Sequence, residues 1–210
     1  MSEQEPTLAS LHWEGGMYHG NVRNKMPHGE GTLRTMDGQD SLYEGHWADG
    51  KRHGKGKEYA PCQVYNQQQR QLIQTKMCLV YEGDFVEGKR EGQKGTEYKA
   101  LDGRMVKLYE GEWKDNRRHR QGKAYYWWGG SVLWFDGEWR EGLAKSGTLF
   151  PDGTASGWKK ADGSTKYPVK PIRWQAGQKI PNRNVPGYGE PLHQLLEDQD
   201  VSGYFPAGAL

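Results

Sequence analysis

The chain has 210 residues, enough for one or two domains, and a formal net charge of +2 with 27% charged residues. So balanced a charge excludes bulk electrostatic binding to nucleic acid. Any binding of an anionic partner must depend on a local cluster of basic residues. Hydrophobic residues make up only 34%, whereas the chain contains 30 Gly, 9 Trp and 12 Tyr. With a mean hydropathy of −1.02, this composition excludes a thick aliphatic core and concentrates apolar surface on large rings.

The N-terminal sequence MSEQEPTLAS is polar and lacks the apolar segment of a signal peptide. No run approaches the roughly 20 apolar residues of a membrane-spanning helix. We expect residues 1–12 to be flexible and the chain to work in a reducing compartment. Cys62 and Cys78 could lie across from each other if residues near Arg70 form a hairpin tip. In that compartment we expect two free thiols rather than a disulfide.

From Tyr18 onward, a pattern of aromatic residues and glycines occurs five times. Because strand side chains point to one face every second residue, Tyr43, Gly45 and Trp47 share a face. The glycine leaves a slot between two rings, into which a ring of the neighbouring repeat can pack. The repeat-defining residues are Tyr18, Gly20, Tyr43, Gly45, Trp47, Gly54, Gly56, Tyr81, Gly83, Phe85, Tyr109, Gly111, Trp113, Phe135, Gly137 and Trp139.

Each repeat predicts a β-hairpin, since its turn holds residues that tolerate positive φ. These turns are Asp49-Gly50, Glu87-Gly88, Asp115-Asn116 and Glu141-Gly142. We therefore predict an all-β fold, an elongated single-layer antiparallel meander over residues 13–163. We interpret an insertion at about residues 60–80 as an extended hairpin or loop. A degraded sixth hairpin would contain Trp158 and the Asp162-Gly163 turn.

The Pro-rich residues 164–210 predict an extended tail that lies on a partner, with Trp174 as one contact. A short helix at about residues 191–199 would follow Pro191. Its apolar face would present Leu192, Leu195 and Leu196. Of the adjacent Trp127 and Trp128, we expect one to join the ring stack and the other to be an exposed interface anchor.

The sequence from Tyr43 to Gly56 resembles the MORN repeat, whose pattern is Tyr-Glu-Gly, then Trp, then Gly-x-x-His-Gly-x-Gly. The resemblance extends over about residues 18–153. It implies a structural role in a ciliary or flagellar axoneme, as in small sperm- and cilium-associated and radial-spoke MORN proteins. The implied partners are proteins of an axonemal or cytoskeletal assembly in the cytoplasm, cilium or flagellum. Nucleic acid, small-molecule substrates and cofactors are not expected.

Basic pairs follow the hairpin turn in three consecutive repeats, and we expect them to line one edge of the sheet. They are Lys51, Arg52, Lys89, Arg90, Arg117 and Arg118. Such an edge could bind anionic lipid head groups or an acidic microtubule surface. The interpretation that we favour is a solvated edge that discourages aggregation, because charged edges are a general protective device. The alternative function is therefore a peripheral membrane adaptor that binds anionic phospholipids.

Residues that imitate catalytic or metal sites are better explained by the repeat. The Gly54–Lys57 sequence lacks the spacing of a phosphate-binding loop. His28, His53 and His119 occupy equivalent positions, but repeats are two strands, about 10 Å, apart, too far to share one ion. No nucleophile has a base in equivalent proximity. We predict no catalytic, metal or cofactor site.

Overall fold

The structure is a computed structural model that describes residues 5, 7–66, 71–101, 104–126, 132–150 and 172–176. These residues form one open sheet of twelve strands in chain order, each antiparallel to its neighbours, which confirms the predicted meander. No helix among them is long and apolar enough to cross a membrane. The strands are β1 (Thr7–Trp13), β2 (Gly16–Arg23), β3 (Met26–Arg34), β4 (Ser41–Ala48), β5 (Lys51–Asn66), β6 (Gln71–Val86), β7 (Lys89–Leu101), β8 (Arg104–Lys114), β9 (Arg117–Tyr126), β10 (Val132–Arg140), β11 (Leu143–Leu149) and β12 (Ile172–Gln175).

Both residues of each predicted hairpin turn have positive φ. In the turn between β4 and β5, Asp49 has φ of 48° and Gly50 of 81°. The other three predicted turns repeat this geometry. Two successive left-handed residues give a turn whose twist matches that of the flanking strands. The Asp/Glu-Gly and Asp-Asn sequences therefore set the hairpin register.

A row of glycines crosses the sheet from β2 to β11, because each repeat's glycine pairs with that of the next strand. Gly45, for example, pairs with Gly31 on one side and Gly56 on the other. The ring of Tyr43 lies across this row, and a Cβ added at Gly56 would stand 2.2 Å from its hydroxyl oxygen. The row contains Gly20, Gly31, Gly45, Gly56, Gly83, Gly95, Gly111, Gly122, Gly137 and Gly147.

The aromatic rings on the glycine row form a zigzag of perpendicular pairs. Trp47 meets Tyr18 of the preceding repeat at 5.3 Å and Tyr43 of its own at 5.1 Å between ring centroids. Phe85, Trp113 and Trp139 repeat this arrangement. The indole N–H groups of Trp47, Trp113 and Trp139 donate to carbonyls of the preceding hairpin. The predicted packing between neighbouring repeats thus forms the core.

Both ends of the sheet differ from expectation. Thr7–Trp13, mostly within the segment expected to be flexible, form β1, which pairs with β2 along its whole length. At the other end, part of the expected partner-binding tail returns to the sheet as β12, which pairs with β11. There Trp174 stands opposite Gly147, is only 8% exposed and packs against Phe135. Trp174 is therefore a core residue that ends the glycine row, and the expectation that it contacts a partner is wrong.

The insertion is the extended hairpin that was one of the two predicted forms, built by the 16-residue strands β5 and β6. Ala60 pairs with Cys78, which puts Cys62 diagonally across from Cys78 on the same face. The two residues form a disulfide with a Cα–Cα distance of 5.8 Å, so the expectation of free thiols is wrong. The sixth hairpin, the short helix with its three leucines, Trp127 and Trp128 lie outside the described residues.

Candidate interaction surfaces

The three arginines of the predicted basic edge turn onto the ring face. Arg52, Arg90 and Arg118 have side chains only 21%, 11% and 13% exposed. Their guanidinium carbons lie 5.1, 4.7 and 5.0 Å from the ring centroids of Tyr43, Tyr81 and Tyr109, respectively. Adjacent strand residues point to opposite faces, so the arginine of each basic pair separates from its neighbour. These arginines cover the core and leave little charge for a partner.

Two carboxylates hold the arginines in place. Glu58 accepts from Arg52 at 2.8 Å and from Arg90 at 2.6 Å, and so bridges two successive repeats. Arg118 reaches back to Glu97 of the preceding repeat at 2.7 Å. Partial burial tends to raise the pKa of Glu58, but Arg90 and Arg52 outweigh it and hold that pKa below its usual value.

The remaining basic residues lie along the edge formed by the hairpin turns, where acidic side chains neutralise two of them. Lys89 pairs with Asp115 in the next turn at 2.7 Å, and Lys51 pairs with Glu87 in the same way. Successive turns are also joined by backbone hydrogen bonds, such as Gly88 N–H to the Arg52 carbonyl at 2.9 Å. Lys89 lowers the pKa of Asp115, and the pKa of Lys89 rises in return. Charges therefore alternate along this edge.

The predicted continuous basic edge does not form. Of its six members, three lie against rings and two are paired with turn acids. Arg117 makes no ion pair with any side chain in the described part of the chain, and it is exposed. The sequence contains a signal for these ion pairs. Each predicted hairpin turn begins with Asp or Glu, and a basic residue directly follows the first three of these turns.

The face opposite the rings carries rows of ion pairs between neighbouring strands. Within Gly54–Lys57, Lys55 pairs with Asp84 at 2.8 Å and Lys57 lies 3.7 Å from Glu82, so these lysines belong to the sheet surface. His46 contacts Glu30 at 2.6 Å. Further along, Arg120 pairs with Glu112 and Lys123 with Asp136. We call this surface, which repeats its charges from hairpin to hairpin, the polar face.

Tyrosines that follow the glycines of the return strands β5 and β9 form the margin of the polar face, a role that the repeat pattern did not reveal. Tyr59 donates to Glu44 at 3.0 Å, and burial together with this hydrogen bond raises its pKa to about 12. Lys107 lies 5.3 Å from the ring centroid of Tyr125. These half-buried rings add an apolar rim to an otherwise charged surface.

The equivalent histidines do not line up as metal ligands. Nδ1 of His28 accepts a long hydrogen bond, 3.4 Å, from the backbone N–H of Asp49 in the next turn. In the third repeat Glu91 takes the same place and accepts from Asp115 N–H at 2.8 Å. A carboxylate can therefore replace the histidine as acceptor for the next turn, which favours a structural role for the histidines at this position. No cluster of three His, Cys, Asp or Glu suited to a metal occurs in the described ranges.

Comparisons with known proteins identify the repeat unit. The family model for the MORN repeat matches residues 18–39, 43–61, 81–93 and 109–130. The chain is also similar to MORN repeat-containing protein 3 of Xenopus laevis, with 32% identity over 98 residues. That alignment covers 45% of this chain and 34% of the relative, so the chain spans about a third of the relative's length. The fifth hairpin, β10–β11, lies outside the matched ranges but continues the same glycine row.

Proposed function

The chain is a MORN-repeat protein, and we propose that it is a non-enzymatic scaffold of a ciliary or flagellar axonemal complex. A radial spoke or a doublet-associated complex is the setting in which such a scaffold would work. The chain binds protein partners there and spaces them along its repeats. The axonemal setting rests on the resemblance of the repeats, and the mode of binding rests on the surface described above.

The proposal rests on the observation that the large rings are buried in the sheet's own core and do not face a partner. Tyr18, Tyr43, Tyr81, Tyr109 and Phe135 are all 0% exposed. What faces solvent is the polar face, whose ion pairs join neighbouring strands at several places between β3 and β10. Twelve strands at the usual spacing of about 4.8 Å would extend over about 50 Å. A surface of this length with periodic charges suits an extended protein partner.

Binding to anionic lipid is the weaker alternative, because it requires a continuous basic edge. Three of the six basic residues lie against rings, and two are paired with turn acids. Flotation with vesicles containing phosphatidylserine tests it, using the full chain and a Lys51→Glu/Lys89→Glu variant. We expect neither protein to float. Flotation of the wild type that the variant loses would support the membrane adaptor instead.

The scaffold proposal is tested by expressing the tagged full chain in ciliated cells and extracting the axonemes with detergent. We expect the protein to remain with the extracted axonemes. A Lys55→Glu/Lys57→Glu variant, altered on the polar face, should be released by extraction, whereas Lys51→Glu/Lys89→Glu on the turn edge should remain. A wild-type protein found only in the soluble fraction would contradict the proposal.

The position of β12 determines how the tail must be truncated in the same assay. Ending the chain after Ala176 keeps β12, whereas ending it after residue 163 removes Trp174 and exposes the ring of Phe135. We expect the first truncation to fold normally and to lose affinity for axonemes, because it lacks residues 177–210. Unchanged retention of this variant would exclude a binding role for that segment.

A further inference from the structure

Strand β1 lies at one edge of the sheet and has an unusual composition for that place. Its sequence, TLASLHW, contains no Asp, Glu, Lys or Arg, whereas each of the other eleven described strands contains at least one. It pairs with β2 over seven residues without a register shift. Leu8 is 71% exposed. A regular, uncharged edge is a template for pairing with another strand.

The opposite edge shows how such pairing is normally prevented. Strand β12 has only four residues and carries Arg173, and short length and charge are both devices that protect an edge. Protein edges without them are expected to be covered. Among the strands that the structure describes, this contrast singles out β1 as the edge that can pair with a partner.

We propose that β1 pairs antiparallel with β1 of a second copy of this chain, about a two-fold axis at Ser10. In this register Ser10 meets its own counterpart, and Ala9 meets Leu11 of the second copy. Ala9 and Leu11 already pack against the aromatic core, so the small and large side chains would extend that core across the axis. The two sheets then join into one of 24 strands.

The strand's own sequence points to a second copy rather than to an unlike partner. An antiparallel pair about a two-fold axis brings identical residues together, and charged residues near the axis would repel each other. None is present from Thr7 to Trp13. A foreign strand would not require this absence of charge, because opposite charges could guide it. The seven-residue contact is small, so we expect a weak, concentration-dependent dimer.

The test combines analytical ultracentrifugation of the full chain with a charge placed on the axis. Wild-type protein should shift from monomer to dimer as concentration rises to about 200 µM, well above the micromolar constants of weak interfaces. Ser10→Lys puts two lysines opposite each other and should weaken the dimer at least about tenfold. Gln175→Lys, on the other edge, should leave it unchanged. Circular dichroism verifies that both variants are folded.

Cysteine cross-linking tests the register. Ser10→Cys should give a covalent dimer under mild oxidation, whereas Gln175→Cys should not, and both proteins retain Cys62 and Cys78 as the shared background. A wild type that stays monomeric, a Ser10→Lys variant that dimerises as well as the wild type, or equal cross-linking of the two cysteine variants would each overturn the proposal.

Discussion

At the scale of single residues, the glycine row is fixed by close approach and not by turn geometry. We predict that Gly56→Ala lowers the free energy of unfolding by about 2–4 kcal/mol, because the new Cβ would collide with the ring of Tyr43. Gly88→Ala is the matched control, since its Cβ meets nothing within 4 Å and only its φ of 83° is strained. That variant should lose about 1 kcal/mol. Urea unfolding compares them, and equal losses would contradict the role of the ring.

Arg120 occupies a place where the first three repeats have glycine, and its φ of 47° lies in the left-handed region. We predict that Arg120→Gly raises the stability by about 0.5–1 kcal/mol, because glycine adopts this conformation without strain. The ion pair lost with Glu112 is exposed and spans 4.0 Å, so it contributes little.

Arg140→Gly provides the comparison for this gain, since Arg140 is an exposed residue of β10 without positive φ. Thermal unfolding of both variants should show a rise for Arg120→Gly and a loss of about 0.5–1 kcal/mol for Arg140→Gly. A loss in both would mean that the left-handed backbone at Arg120 carries no strain that glycine relieves.

At the scale of elements, the contact between β5 and β7 depends on the carboxylate of Glu58. We predict that Glu58→Gln lowers the free energy of unfolding by about 2 kcal/mol, because Arg52 and Arg90 lose their counter-charge on the ring face. Glu82→Gln removes half of an exposed pair and should cost no more than about 0.5 kcal/mol. Urea unfolding at neutral pH distinguishes them.

The same carboxylate gives the fold a dependence on acid. The pKa of Glu58 is lower in the folded protein than in the unfolded chain, so the unfolded state binds the proton first as pH falls. Its stabilisation is present above the unfolded pKa of about 4.3 and is lost below it. Wild type should therefore lose more stability on acidification than Glu58→Gln. Parallel losses in the two proteins would contradict this.

The hairpins could be predicted from sequence because their signals are local. Asp49-Gly50 marks its turn, and the alternation of Tyr43, Gly45 and Trp47 marks the buried face. Strand β1 was missed because it lacks both signals and depends on pairing with β2. Trp174 was misassigned because nothing near it in sequence shows that its place is opposite Gly147.

The polar surfaces could be predicted in composition but only in part in their arrangement. Lys51 and Arg52 read as one basic pair, yet strand alternation sends them to different surroundings. The alternation of strand side chains holds for Lys51 and Arg52 as it does for the aromatic residues. The partners of the arginines, such as Glu58, follow from the register between repeats, which a bulge in each hairpin shifts. The disulfide depended on the same register in the long hairpin.

At the scale of the whole molecule, no second layer packs behind the sheet among the residues that the structure describes, and the ring contacts couple the stability of each repeat to that of its neighbours. Trp47, Phe85, Trp113 and Trp139 each lie four residues after the first ring of their repeat. Each contacts that ring and an aromatic ring of the preceding repeat. A defect in one repeat therefore weakens two interfaces. We infer that local opening begins at the ends, where β1 and β12 each have one neighbouring strand.

The tyrosines give the entire sheet a common sensitivity to alkali. Burial raises the pKa of Tyr18 to about 12 and raises the pKa of Tyr43, Tyr81 and Tyr109 further. In the unfolded chain these groups titrate near pH 10, so above that pH the unfolded state loses protons that the folded state keeps. Their stabilisation is complete below about pH 10 and declines as pH rises toward the folded values.

We therefore predict that the urea midpoint falls steeply above about pH 10 and that the tyrosinate absorbance of these four rings appears together with unfolding. The Tyr43→Phe variant isolates the contribution of one ring. At neutral pH this variant should lose about 1 kcal/mol with the hydrogen bond to the His46 carbonyl. Its midpoint should then fall less with pH than that of the wild type. The difference in tyrosinate absorbance between the wild type and Tyr43→Phe reports on Tyr43 alone, and its appearance near pH 10 without unfolding would show that this ring is accessible to solvent, contrary to the buried zigzag on which the fold depends.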